Sequence, residues 1–289
     1  MRLALISFDL RADFGVFKKP DVNEGLQVTF NLLHKPALLG ILGAIAGLEG
    51  YQQRGKLPAY YQALRDLRVG IAPLGHDKGN FVKTVIKYTN TVGYANADGN
   101  LIVTEQTLRC PAYRCYLLPD LDDPVQVLLH DRILAGEAEY LPYFGKNECS
   151  AWWEADGVQS YDFEPFQAKE DFQISSIFIR KDLISSQKID PEFSFAEMAM
   201  QNDSTFIYFE RLPTKFFVGD KNEEIVAKAD LFTSVEVPSI AKRAKPMSFV
   251  QYDLAEFAFT DWVLKKGARI EDLYQMGVGS GSSKIVQLF

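Results

Sequence analysis

Histidine, cysteine and long apolar runs are all scarce in this chain, and each scarcity removes a class of function. Three histidines (His34, His76, His130) and three cysteines (Cys110, Cys115, Cys149) leave no set with metal-ligand spacing. An odd cysteine count gives no disulfide framework, so the three read as reduced thiols of a cytoplasmic protein. No apolar run approaches the roughly 20 residues that cross a bilayer, and no membrane partner is expected. The opening MRLALISFDL alternates like a strand and then meets Asp9 and Arg11, unlike a secretory signal. Carboxylates form no cluster with metal-ligand spacing, so neither metal nor other cofactor is expected. GVGSGSSK, near residue 280, lacks the glycine, lysine and hydroxyl spacing of a phosphate loop, which argues against nucleotide hydrolysis. There is no internal repeat and no low-complexity tract.

What is present is ordinary globular material with an uneven charge. The 289 residues are 47% hydrophobic and 24% charged, enough for one large domain or two compact ones. The net charge of −7 hides an asymmetry. Residues 1–119 hold 14 basic and 9 acidic side chains, or +5, and the remainder holds 17 and 29, or −12. A basic front half fits a polyanion and an acidic back half a different partner, although solvated faces alone give the same balance.

The most distinctive stretch is VTFNLLHKPALLGILGAIAGL, from Val28 to Leu48. Pro36 suits the first turn of a helix, where its missing N–H is no loss. Gly40, Ala44 and Gly47 follow at i, i+4 and i+7, so one helix face is nearly bare. Each helical glycine costs about 1 kcal/mol relative to alanine, which requires a compensating close approach. Elsewhere, Leu3–Phe8 reads as a strand and residues 25–33 as an extended segment. Residues 58–67 read as a short helix and 68–72 as a strand. Residues 81–92 and 101–108 resemble the two arms of a hairpin about a glycine- and asparagine-rich turn, within a stretch 74–107. Pro111–Leu118 reads as a strand and Pro124–Ala135 as a helix, giving a ferredoxin-like order. A boundary is expected after Ala155, dividing the chain into 1–155 and a smaller, mainly β part, 156–289. Strands are expected there at 174–179, 205–212, 225–237 and 285–289.

Several groupings bear on chemistry. Arg11, Phe14, Phe17, Lys18 and Lys19 interleave bases with aromatics, as single-stranded RNA binding requires, since lysines meet phosphates and rings stack on bases. Core phenylalanines with solvated lysines give the same pattern. Lys83 and Lys87 share one side of a hairpin arm, beside Tyr88, as on a backbone-tracking arm or an ordinary exposed strand. His34 and Lys35 precede the glycine-rich helix, whose N-terminus attracts phosphate. They could serve a metal-independent ribonuclease as base and cation, or simply cap the helix. Lys146 and Asn147 follow Gly145 in a turn behind the aromatic cluster YLPYF, where a phosphate, a partner chain or a plain β-turn all fit.

Five segments resemble, in order, one family: the CRISPR-associated Cas subunit numbered five, a RAMP-superfamily member of type I Cascade complexes, most like the type I-B form. They are LALISFDLRADFGVFKK, VTFNLLHKPALLGILGAIAGL, EQTLRCPAYRCYLLPD, LPYFGKNECSAWW and the terminal KIVQLF. The resemblance implies an α+β fold: a ferredoxin-like (RRM-type) domain with a long β-hairpin thumb, plus a smaller β-rich C-terminal domain. It implies capping of the 5′ handle of CRISPR RNA, beside the large subunit and the first backbone subunit, with target DNA met only indirectly. Phe14, Phe17 and Lys18 match the family's loop, Gly40, Gly43 and Gly47 its helix, Arg109 and Arg114 its central strand, and Gly145 to Asn147 its turn. One branch of the family cuts precursor RNA and most members only bind. The lead expectation is therefore a non-catalytic RNA-capping subunit. A metal-independent endoribonuclease using His34 and Lys35 is the alternative, and a protein-only scaffold the third possibility.

Overall fold

The computed structural model describes residues 2–20, 25–53, 56–90, 101–182, 206–219, 249–277 and 283–289. The fold is α+β, with antiparallel sheets and few helices. Its centre is β1 (Leu5–Ala12), whose alternate residues Ile6, Phe8, Leu10 and Ala12 are buried toward the helices. On one side β1 pairs with β8 (Ala112–Leu118), which pairs with β5 (Arg68–Leu74). On its other side lie β9 (Ala151–Trp152) and β10 (Gln159–Pro165), followed outward by β14 (Leu273–Gly277) and β15 (Lys284–Gln287).

The outer margins of this sheet are brought together. Past β15, Phe289 exchanges two backbone hydrogen bonds with Val69 of β5, and the Ile177 amide donates to the Ile71 carbonyl. Leu5, Tyr116, Tyr161, Met276, Val286 and Leu288 fill the enclosed side as a second core. Strands from both sides of residue 155 thus share one sheet, and Leu212 and Phe257 lie in the same core as Phe8 and Leu38.

Among the described residues, three α-helices cover the other face. α1 (Lys35–Ala46) has His34 as its N-cap and Pro36 in its first turn, and it ends at Gly47 in the left-handed conformation. Gly47 is therefore a cap and does not line the helix face, which corrects the i+7 expectation. α2 (Ala59–Leu64) packs Tyr60 against α1, and a Cβ on Gly43 would lie 2.5 Å from the Tyr60 Cβ. This is a close approach of the expected kind, supplied from within the chain, but it is met at Gly43 and not at Gly40. α3 (Pro124–Ala135) begins at Asp123, whose carboxylate accepts from Val125 N at 2.8 Å, and ends at left-handed Gly136.

A second sheet stands beside the first. β6 (Lys83–Asn90) and β7 (Leu101–Arg109) pair antiparallel in unbroken register, from Lys83 opposite Leu108 to Asn90 opposite Leu101. β7 also pairs with β2 (Phe14–Gly15). The turn joining the arms lies outside the described residues. β3 (Phe17–Lys18) and β4 (Thr29–Phe30) form a small ribbon. A third sheet is β11 (Phe178–Asp182), β13 (Phe249–Thr260) and β12 (Ile207–Gly219). The expected strand at 225–237 lies outside the described residues. Strands β10, β13 and β14 were not expected: the partners of β10 and β13 are remote in sequence, and the apolar alternation in β10 is broken.

One buried hub joins these parts. Asn31 donates its side-chain amide to the Gly79 carbonyl at 2.8 Å, and its Oδ1 accepts from Phe81 N and Lys83 Nζ. Its carbonyl accepts from the Tyr113 hydroxyl at 2.7 Å. The backbone amides of Asn31 and Leu32 both donate to buried Glu210 of β12, which also pairs with Lys19 at 3.2 Å. A buried carboxylate needs such donors, because an unpaired one is strongly disfavoured in the interior.

Candidate nucleic-acid interface

A half-open cleft of about 790 Å³ lies over the bare face of α1, with Ala37, Gly40 and Ala44 on its floor. Gly40 leaves real space there, since a Cβ would come no closer than 3.7 Å to the Tyr60 ring. The Val16–Lys18 segment with Gln27, the Leu48–Gln52 segment with Tyr60, and Phe216 and Tyr252 of β12 and β13 also line it. The aromatic turn supplies the rim with Tyr140, Leu141, Tyr143, Gly145 and Lys146.

Backbone bonds hold that turn in place. Tyr140 N donates to the Ala44 carbonyl at 3.1 Å and Glu139 N to the Ile45 carbonyl at 3.2 Å, so the turn hangs from the end of α1. Val16 N donates to the Phe144 carbonyl at 3.0 Å. Gly145 has φ of 80°, and any Cβ there would collide with the Val16 carbonyl, so only glycine fits. Tyr51, Tyr140 and Tyr143 are exposed, and Leu141 is 83% exposed. Solvent-facing rings around an apolar floor offer the flat faces on which unpaired bases can stack.

The expected RNA-contacting residues divide into those that the cleft gathers and those held elsewhere. Phe17, Lys18, His34, Gly40 and Lys146 line it. Lys18 is exposed, whereas Phe17 is buried among Tyr113, Phe144 and His34 and presents no stacking face. Lys146 Nζ sits 2.6 Å from the Glu105 carboxylate and 3.0 Å from the Tyr88 hydroxyl of the β6–β7 ladder. Partial burial lowers its pKa, but the bonds to Glu105 and Tyr88 outweigh that and the net shift is upward. It remains a cation with most of its charge already matched.

The other residues are placed as follows. Lys35 Nζ donates to the Phe289 carbonyl at 2.8 Å, turned from the cleft onto the sheet closure, and burial with the nearby Lys215 lowers its pKa to about 8. It is thus no partner for His34, and the expected base–cation pair is not formed. Gly43 is packed against Tyr60. Lys19 is held by Glu210 and lies over the Phe30 ring, and Lys83 is held by Asn31. Arg114 forms a two-bond pair with Asp9, at 2.7 and 3.0 Å, and Arg11 reaches the same carboxylate at 3.4 Å. Phe14 and Arg109 oppose each other across β2 and β7, both exposed, with Arg109 edging a second hollow of about 300 Å³. Lys87 and Asn147 are exposed. Sequence reasoning missed Tyr51, Tyr60, Tyr140, Tyr143 and Tyr252 as one set; only the aromatic run before Gly145 signalled any of them.

His34 is the best-defined polar group of the cleft. Its Nδ1 accepts from Ala37 N at 3.2 Å, which places the ring proton on Nε2. Burial pushes its pKa from 6.5 down to about 3, so the ring is neutral. Among the described residues, no three histidine, cysteine, aspartate or glutamate side chains group as a metal site. No described helix is long and apolar enough to cross a membrane.

No family model matches this chain, and no curated protein matches it. Among solved structures it is similar to a chain described as "CRISPR RNA-guided surveillance complex", at 11% identity and a TM-score of 0.40, over 91% of this chain and 92% of that one. It is similar to a "Cas protein" crystal structure at 12% identity and a TM-score of 0.37, over 91% and 95% of the two chains. It is also similar to a CRISPR protein from Archaeoglobus fulgidus, at 12% identity and a TM-score of 0.36, over 98% and 99%. The function is argued below from the residues of the cleft.

Proposed function

We propose that this protein is a non-catalytic RNA-binding subunit of a type I CRISPR Cascade effector, holding the 5′ handle of the CRISPR RNA. The observation that carries the reading is the cleft over α1: an apolar floor, a rim of tyrosines, and exposed Lys18 among its lining residues to meet a phosphate. The ordered sequence resemblance supplies the identity of the RNA. The strand order β10-β1-β8-β5, with α1 between β1 and β5 and α3 between β8 and β10, supports a ferredoxin-like reading. The long β6–β7 ladder is read as the thumb. Exposed Val85, Ile86 and Ile102 on it fit contact with the backbone subunit or the large subunit, and residues 156–289 are read as the β-rich C-terminal part.

The geometry of His34 supports binding without cleavage. A general base needs a free lone pair, and the lone pair of this neutral ring is engaged by the Ala37 amide. Lys35, the cation that the alternative requires, is turned toward Phe289.

The test is fluorescence anisotropy with a short single-stranded handle RNA over a salt series. Affinity should fall steeply with salt, and Lys18→Ala should reduce the log–log slope by roughly 0.7, one phosphate contact on a single strand. Tyr140→Ala with Tyr143→Ala should weaken binding by about 1–3 kcal/mol for each base no longer stacked. No measurable RNA binding would overturn the proposal and leave the protein-only scaffold.

A further inference from the structure

The cleft does more than offer stacking faces, because one polar group inside it has a fixed sense. The His34 ring is wedged edge-on between Phe30, Phe17 and Tyr252, at centroid distances of 5.2, 6.1 and 6.3 Å. The α1 cap takes its Nδ1, so Nε2 can only donate. Among the described residues nothing accepts that Nε2–H, although His34 lines the cleft. A neutral donor of this kind, set among aromatic rings and apart from the lysines at the rim, is a poor seat for a phosphate and a good one for an uncharged acceptor.

Resting on the RNA-binding reading above, we propose that His34 is a specificity-determining residue of the cleft. It donates from Nε2 to O4 of an extruded uracil or O6 of an extruded guanine, so that a cytosine or adenine, with an amino group at that position, is rejected. The discrimination is chemical. Uracil carries an acceptor at its 4-position and guanine one at its 6-position, where cytosine and adenine carry an amino donor. An amino group facing an N–H donor leaves two donors buried without acceptors, which a site built to hydrogen-bond its ligand rejects strongly. At about 790 Å³ the cleft falls within the ~300–1,000 Å³ of pockets that enclose compact ligands, enough for one base with its sugar. The phosphates then lie outward, toward exposed Lys18.

The experiment compares oligouridine with oligocytidine of equal length, which differ at this position. A second series then moves a single uridine through the oligocytidine to locate the seat. The wild type should prefer uridine about tenfold, at one position of the scan. His34→Asn keeps a side-chain oxygen to cap α1 but loses the donor that reaches into the cleft. It should bind both oligomers with the wild-type salt slope and about equally. A preference that survives in the folded variant, or a wild type that binds RNA without keto preference, overturns the assignment and leaves the RNA-binding reading intact. Failure of every oligomer to bind overturns both. Thermal melting of the variant guards against simple unfolding.

Discussion

The neutral, buried His34 makes the stability of this protein sensitive to mild acid, and the size of the effect can be worked out. In the unfolded chain the imidazole titrates near 6.5, and in the native protein burial lowers that to about 3. Between those values the unfolded state binds a proton that the native state refuses, so stability rises with pH. The contribution is fully present above pH 6.5 and is lost as pH falls toward 3. Its full span is roughly 5 kcal/mol, and linkage places about 2 kcal/mol of it between about pH 7.5 and about pH 5. That second figure needs only that the native pKa lie well below the lower pH. His34→Asn retains the N-cap and removes the titration. It leaves a void among Phe17, Phe30 and Tyr252 that lowers stability alike at every pH, so the readout is the slope and not the level. Urea unfolding followed by tryptophan fluorescence at the two pH values should show the wild type losing about 2 kcal/mol more than the variant. Equal losses would refute the assignment of His34 as neutral and engaged at Nδ1.

Three further outcomes are expected. Gly43→Ala should destabilise by about 1–3 kcal/mol through Tyr60, whereas Gly40→Ala, with its nearest neighbour at 3.7 Å, should be nearly neutral and Gly40→Leu should block RNA binding without unfolding; thermal melts and anisotropy distinguish them. Arg114→Ala should lower stability by about 1–2 kcal/mol, because it leaves Asp9 without its two-bond partner, while the RNA salt slope stays unchanged; a reduced slope would make Arg114 a phosphate contact after all. Repeat RNA incubated in EDTA should remain intact; specific cleavage by the wild type, absent in His34→Ala, would establish the endoribonuclease alternative.

Local signals carried part of this structure and distant ones the rest. Proline in the first turn marked the starts of α1 and α3, and the glycine just beyond the last residue marked the end of α3, since caps are chemical features of a few neighbouring residues; the same signal at Gly47 was read as helix face. The hairpin arms were readable for the same reason, and their ladder runs through Asn90–Leu101. By contrast, β10 is a strand because β1 and β14 flank it, and neither is near in sequence. The cleft's tyrosines come from residues 51, 60, 140, 143 and 252, so no local pattern announces them as a set. His34 and Lys35 show the limit most plainly. Adjacent in sequence, they were paired for one chemistry, yet the backbone sends one side chain into the cleft and the other to Phe289.

The meeting of the central sheet's margins at Val69–Phe289 and Ile71–Ile177 bears on how this protein keeps company. An open sheet offers a row of unpaired amides and carbonyls on which any extended chain can template itself, the usual route to adventitious strand exchange. Here the Val69 amide and carbonyl and the Ile71 carbonyl are taken up internally on the β5 side. A neighbour meeting this margin finds those groups already bonded and is recognised more by side chains. Recognition by side chains is the more discriminating kind, because it depends on which residues the neighbour presents.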